Sequence, residues 1–549
     1  MSIRTVRATG RRGHLATTEV HTTVSAGIRR GLAWSTVSSM VLRLGTFSVG
    51  IFLARMFTPE QFGLYAVVLT VQTVMMTLAD FGLSSDLIRS ANHRAKAPTV
   101  ATMGLLISAV LTGAMAAGSG WLADVLGAPG TGPVLAVMSL TLLIAGIGVV
   151  PYATLQRTFR QKQVFVIAVV DFVVGTVLLV ALVLGGWGVM ALAVSRVIAQ
   201  LVAVILQFVL SGERPRYGFN RSLAKGVWLF GLPVAGANLL SWVLLGADKV
   251  LVSSLAGASV LGFYFLAFNI SNWPMSVLGQ VVRSVSLPAF SRVATGPKDR
   301  SLATALAPVW AVSVLVGGML VFLAGPVIEL VYGGRWLAAA PLLMVLAAFG
   351  ALRTVLDLST SYLLARGESG RVLRLQLAWM VVLLPLLVAG TLTGSGLGAA
   401  VGHVVSSIVL LALYARSLAV VGADIAAVWA VFWPPLLAVI PAALATWLVT
   451  LAGPNPLVDL MGGGAAGTAV YGMVLYRWMR QRLSEARVLG ADEVLEEEPD
   501  TAVPTARPVT VKTTDPDIQH PAVQHPSVHH PAVQHPSVHH PATTSEATT

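Results

Sequence analysis

A chain of 549 residues that is 55% hydrophobic and only 11% charged, with a mean hydropathy of +0.78, carries more apolar surface than a water-soluble core can bury and belongs in a bilayer. It has no cysteine, which excludes disulfides, thiolate metal sites and thiol nucleophiles. The formal charge of +12 fits cations that orient a membrane protein and face anionic headgroups, not a nucleic-acid binder.

The first thirty residues are polar and rich in Arg and Thr. No small-residue cleavage pattern follows the first apolar run, so that run is expected to be a retained helix. Crossing about 30 Å of hydrocarbon takes about 20 apolar residues. Runs of that length are predicted to begin near residues 33, 62, 99, 133, 164 and 188, then near 227, 260, 304, 338, 373 and 397, with a last pair near 429 and 457. The expected fold is an all-α polytopic membrane protein of about fourteen transmembrane helices.

Its predicted organisation is a basic N-terminal tail (1–31), an N-lobe of six helices (32–212), a C-lobe of six (213–420), two further helices (421–480) and an extended tail (481–549). With the N-terminus inside, alternate connections hold the basic clusters, among them Arg89, Arg94 and Lys96, Arg157, Arg160 and Lys162, and Arg366, Arg371 and Arg374. The opposite connections hold only Arg55, Lys249 and Arg335. That bias places both termini in the cytoplasm of a multi-pass inner-membrane protein. The connections are short, so chemistry must reside in the helices.

An internal echo links LARMFTPEQFGLY (53–65) to VSSLAGASVLGFY (252–264). In each, Gly and Tyr two residues apart open the second helix of a hairpin, as expected of a parallel repeat of two six-helix lobes about an axis along the membrane normal. Beyond residue 484 the chain turns acidic and then Pro- and Thr-rich. Between Gln519 and Thr543 a His-Pro pentad recurs five times and holds seven of the eleven histidines. No packed fold is expected there, and loose metal binding competes with a bland linker as its reading.

Charges left inside the spans are the candidate functional residues, because a central arginine costs about 2.5–3.5 kcal/mol on insertion scales and is retained for a cavity or a partner. They are Arg43 near the middle of the first span, Arg196 in the sixth and Arg353 in the tenth. Arg353 and Asp357 stand four apart and can pair on one helix face. Arg196 has no acid within one turn of its own helix. Asp80, Asp171, Asp248 and Glu329 form the acidic set; Asp248 followed by Lys249 reads as an interfacial charge pair closing the seventh helix on its outer side. Pro151, Pro233, Pro274, Pro288 and Pro385 lie in or beside spans and could hinge them. The scattered outer acids Glu60, Asp124 and Asp459 form no paired-carboxylate site, and no HExxH or Gly-rich phosphate loop is present, which argues against a membrane enzyme.

The opening GLAWSTVSSMVLRLGTFSVGIFLARMFTPEQFGLYAV, LADFGLSSDLIRS, and WLFGLPVAGANLLSWVLLGADKVLVSSLAGASVLGFYFLAFNIS followed by LPAFSR resemble the Wzx-like polysaccharide transporters of the multidrug/oligosaccharidyl-lipid/polysaccharide exporter superfamily, over residues 28–480. The resemblance implies a V-shaped pair of lobes that moves an undecaprenyl-pyrophosphate-linked glycan between leaflets by alternating access. It implies no cofactor beyond a proton or sodium gradient, and polysaccharide polymerases and glycosyltransferases as partners. Arg55 and Asp248 fall on recurrent family positions. Arg43, Arg196, Arg353 and Arg55 are therefore the expected substrate-binding residues, and Asp248, Asp357 and Asp80 the expected ion-coupling ones. An anionic pyrophosphate suits the planar arginine fork; a multidrug-type cation antiporter of the same superfamily is the alternative that Asp80, Asp171 and Asp357 keep open.

Overall fold

The computed structural model describes residues 42–214, 216–292, 298–451 and 455–496. The predicted basic tail of 1–31, the opening of the first span and the His-Pro repeat of 519–543 lie outside the described residues. Of the two compact units, Met1–Ala491 carries every candidate span.

Among the described residues the chain is helical throughout, with no strand beyond one isolated bridge between Asp299 and Ala423. The first half contains α1 (42–56), α2 (Pro59–Asp80), α3 (Leu83–Arg89), α4 (His93–Ala117), α5 (Ser119–Val125), α6 (Gly132–Arg157), α7 (Gln161–Leu184) and α8 (Met190–Ser211). The second continues with α9 (Arg221–Ala256), α10 (Ala258–Arg292), α11 (Ser301–Phe322), α12 (Ala324–Val331) and α13 (Ala340–Ala365). After them come α14 (Ser369–Val420), α15 (Ile425–Thr450), and α16 (Pro456–Val458), which runs through a π turn into α17 (Gly464–Glu496).

Local chemistry sets these boundaries. Thr58 caps α2 in a reciprocal box: its hydroxyl accepts from the Gln61 N–H (3.2 Å) while the Gln61 side chain accepts from the Thr58 N–H (3.1 Å), and Pro59 supplies the first-turn φ. Such a cap is worth about 1 kcal/mol. Asn220 and Asp424 cap α9 and α15 by their side-chain oxygens alone, without the reciprocal bond. α14 breaks at Ser395, whose φ of 56° lies in the left-handed region between two glycines. That break falls where the sequence predicts one span to end and the next to begin.

Ten helices among the described residues are long and apolar enough to cross a membrane. With α14 bent into two, and with α1, α9 and α10 beside them, the order is consistent with fourteen crossings. The lipid-facing surface is visible on α15, where Leu437, Ile440, Leu444, Leu448 and Leu451 are all more than half exposed at helical spacing, an apolar stripe that only lipid or a partner tolerates. Pro151, Pro233, Pro274 and Pro385 sit inside helices assigned as continuous.

Short helices follow the third span of each half: α5 after α4, and α12 after α11. The neighbours also correspond, with α4 on α6 and α6 on α8 in the first half, and α11 on α13 and α13 on α14 in the second. The echoed glycines explain where the halves meet. A Cβ added to Gly63 would overlap the carbonyl of Ala258, and one added to Gly262 would overlap that of Pro59. The starts of α2 and α10 therefore cross backbone to backbone in a reciprocal contact that only glycine permits.

If the basic connections are cytoplasmic, this crossing lies at the outer end. The main buried cluster lies there too, joining Leu53, Phe57 and Phe62 to Leu135, Tyr264, Trp336 and Leu343. Towards the opposite end, one cluster joins the first half to α9 through Leu83, Val100 and Val227, and another gathers Trp310, Tyr362 and Tyr414 of the second half.

Candidate functional site

A cavity of about 650 Å³ lies between α1, α2, α7, α8 and α10. Its polar wall includes Arg43, Tyr65, Gln72, Thr176, Ser195, Arg196, Asn269, Asn272, Ser276 and Tyr332, and among the described residues that line it there is no carboxylate. Arg43 is half-buried and its Nη1 donates to Ser276 Oγ (2.7 Å), next to a stack of Phe47 on Trp273 with ring centres 4.9 Å apart. These contacts fasten α1 to α10 across the two halves. The Arg196 guanidinium reaches across to α7 and pairs with Asp171 Oδ2 at 3.3 Å, both side chains a quarter to a third exposed. A pair this hydrated leaves the guanidinium available to a stronger anion.

The outer end above the cavity is clasped shut. Arg55 donates from Nε and Nη2 to the carbonyls of Val331 and Leu330 (2.8 Å each), satisfying the end of α12, as cations commonly do at helix C-termini. Arg335 donates to the Arg55 carbonyl and Trp336 Nε1 to that of Ala54 (2.8 Å). On the opposite flank, Gly127 packs so closely on the Ser253 carbonyl that a Cβ would overlap it. The structure thus places Arg55 in the outer clasp, apart from the cavity that holds Arg43 and Arg196.

Arg353 does not line this cavity, and among the described residues it makes no hydrogen bond or ion pair; the pair with Asp357 anticipated from their spacing is not formed. Asp80 accepts from Ser84 Oγ beside a smaller hollow of about 230 Å³ that Gln200 and Gln207 also line. Glu329 is exposed on α12.

Asp248 departs most from its expected setting. It is not interfacial: α9 continues two turns beyond it to Ala256, and its side chain is 2% exposed. Lys249 Nζ stands 3.2 Å from Oδ1 and 4.5 Å above the Phe268 ring. The Tyr264 hydroxyl donates to Oδ2 (3.0 Å), and His403 Nε2 lies 3.7 Å from that oxygen. Tyr264 comes from the start of α10 and His403 from the second limb of α14. Sequence reasoning missed both. Tyr264 stands in the echoed Gly-Tyr motif, a signal that was available, whereas His403 is a lone polar residue in an apolar run.

At the end that carries the basic connections, Asp299 ties three elements together. It pairs with Arg366, accepts from Tyr362 OH (2.7 Å) and Ser301 N–H (2.8 Å), and its backbone pairs with Gly422 and Asp424. Burial alone would raise its carboxyl, but the Tyr362 hydroxyl, the Ser301 N–H and hydroxyl and the Arg366 guanidinium outweigh it and hold Asp299 below the usual carboxylate range. In the first half, Arg157 at the end of α6 donates to the carbonyls of Ile88 (2.6 Å) and Ser90 (2.7 Å). A basic hollow of about 520 Å³, edged by His93, Arg94, Arg214 and Arg216, opens beside it.

A family model described as a polysaccharide biosynthesis protein matches residues 52–341, more than half of the chain. The succinoglycan biosynthesis transport protein ExoT of Rhizobium meliloti (strain 1021) is 25% identical over 474 residues, 82% of this chain and 92% of that one. The lipopolysaccharide biosynthesis protein WzxC of Escherichia coli (strain K12) is 23% identical over 391 residues, 69% of this chain and 78% of that one. Among solved structures, the lipid II flippase MurJ in an inward closed conformation has a TM-score of 0.69 at 14% identity, covering 82% of this chain and 100% of that one. An inward-facing multidrug resistance MATE transporter of the MOP superfamily has a TM-score of 0.55 at 17% identity, covering 71% of this chain and 98% of that one. At these identities the two structures establish a shared fold.

Proposed function

We propose, from the premise that this chain belongs to the polysaccharide biosynthesis protein family, that it is a flippase carrying a lipid-linked cell-envelope glycan from the cytoplasmic to the outer leaflet. The observation that carries the reading is the cavity between the halves, walled by Arg43 and Arg196 and, among the described residues, lined by no carboxylate. A phosphorylated lipid head crossing a low-dielectric slab needs compensating positive charge, and arginine forks supply it with directional hydrogen bonds. A cation exporter would need the opposite wall.

Alternating access follows from the packing. The Gly63–Gly262 crossing and the Arg55 clasp seal the outer end, and the described state is read as closed outward. Two six-helix lobes, 32–212 and 213–420, rock about this crossing with 421–480 as an added pair. The glycan reaches the outer leaflet when the seal parts, and an ion gradient drives the return. Both termini face the cytoplasm, where glycosyltransferases assemble the cargo, and a polymerase acts on it outside.

The test is a deletion strain, in which lipid-linked glycan is expected to accumulate in the inner leaflet. Wild-type chain is expected to clear it, and a double Arg43→Ala, Arg196→Ala variant inserted at equal level is not. Drug sensitivity without accumulation would replace this reading with multidrug export.

A further inference from the structure

Three charged groups within the membrane belong to neither the cavity nor the clasp: Asp248, Lys249 and His403, held with Tyr264 under the outer seal. Asp248 lies eight residues before the end of α9, about 12 Å below it. His403 lies eight residues past the Ser395 break, on the limb of α14 that descends from the same side. Ser253, fully buried, sits one turn above Asp248, at the carbonyl against which Gly127 packs.

His403 is the unexplained member. Its side chain is 5% exposed, yet neither ring nitrogen has a hydrogen-bond partner among the described residues. Phe349 lies against the ring at 4.6 Å between centroids, and Phe268 at 6.1 Å. A histidine kept only for packing has no need of two unsatisfied nitrogens, each costing about 1–3 kcal/mol when buried. Nε2 is instead aimed at Asp248 Oδ2 from 3.7 Å, too long for a hydrogen bond and near enough to become one. The charged and titratable groups facing it are Asp248 and Lys249 from α9 and Tyr264 from α10. On α13 the nearest are Arg353 and Asp357, one and two turns beyond Phe349, and α15 offers none.

We infer that His403 is a proton-binding latch of the outer seal, with Asp248 as the carboxylate its proton engages. In the sealed state Asp248 is already neutralised by Lys249, so a proton on Nε2 adds a net positive charge to a dry site. When the outer seal parts, water reaches the site, Nε2 takes a proton from the outer side and donates it to Asp248 Oδ2, in competition with Lys249. Because the proton binds the open state better, linkage requires that lowering the pH favours opening. The inference rests on the alternating-access reading and names the residue that makes its outer seal sensitive to pH.

The chain has no cysteine, so a single Ser253→Cys reports opening of the seal through its rate of maleimide labelling. Purified full-length protein in lipid nanodiscs is labelled between pH 8 and 5.5, with rates normalised to Glu60→Cys, an exposed position that corrects for thiol ionisation. The expected result is a rise in normalised rate of about threefold or more as pH falls from 8 to 5.5, and a flat profile when His403→Gln is added. A flat profile in the His403-containing protein, or the same rise in His403→Gln, overturns the inference. If His403→Gln does not yield folded protein, His403→Asn takes its place under the same criteria. Labelling requires no glycan, so a chain with different cargo would still show the proton response. Failure of the flippase reading is read separately, as absence of accumulated lipid-linked glycan.

Discussion

In the first half of the chain Arg43 and Arg196 face a hollow; in the second half Asp248, Lys249 and His403 face one another. Arg43 and Arg196 are partly exposed, make one hydrogen bond or ion pair each to described residues, and look into about 650 Å³ of space. Asp248 is surrounded by an ammonium, a phenol and an imidazole and is almost wholly buried. A charge in a low-dielectric slab must be hydrated or neutralised, and the two halves take different routes. The hydrated route leaves charge for a ligand, whereas the neutralised one makes stability depend on each partner.

The largest effect that separates the two routes is expected at Lys249. Lys249→Met leaves the Asp248 carboxylate buried without its ammonium, and breaking a buried pair from one side costs about 3–5 kcal/mol. Thermal unfolding of the purified protein should show a clear loss of Tm, and adding Asp248→Asn should recover most of it. If Lys249→Met unfolds like wild type, the cluster is not held by mutual neutralisation and the contrast between the halves fails.

A smaller effect is expected at Asp299, a buried pair outside the spans that sharpens the comparison through pH. Its carboxyl is held below the usual carboxylate range, so the ionised form contributes stability at neutral pH, and that contribution is lost only as pH falls below about 4. Asp299→Asn should lower Tm by a similar amount from pH 8 to pH 5, with the difference from wild type shrinking at more acid pH. An Asp299 effect that instead changed between pH 7 and 6 would place its titration in the wrong window. Asp299→Asn should leave the response assigned to His403 in place.

Much of the architecture was legible because the bilayer imposes it. Span length follows from hydrocarbon thickness, and predicted starts near 62, 133, 260 and 397 fall within a few residues of Pro59, Gly132, Ala258 and the Ser395 break. The Gly63 and Gly262 echo was legible because a backbone crossing demands glycine on both strands of the repeat. Arg43 was legible as a lone charge in an apolar run. Partner choice was not. Arg196 had no acid within a turn of its own helix, and its partner Asp171 comes from the helix before. Asp248 looked terminal because Lys249 follows it, but α9 runs on, and Tyr264 and His403 arrive from other helices. Periodicity reports which residues share a face and is silent on which distant face meets it.

The smallest effect on stability, and the sharpest test of the hydrated route, is expected at Arg43. Its link to described residues is one hydrogen bond to Ser276 at 2.7 Å, and it borders open space, so Arg43→Ala removes about 1 kcal/mol and leaves no buried group unpaired, because Ser276 Oγ still donates to the Trp273 carbonyl at 2.8 Å. The variant should insert and unfold nearly as wild type does, yet fail to clear lipid-linked glycan in the deletion strain. Arg43→Lys keeps the charge and loses the fork, so it should restore clearance only in part if the ligand is a phosphate held by paired hydrogen bonds. A large loss of Tm would make Arg43 a structural strut between α1 and α10, and normal clearance by Arg43→Ala would remove the first-half cavity from the transport path.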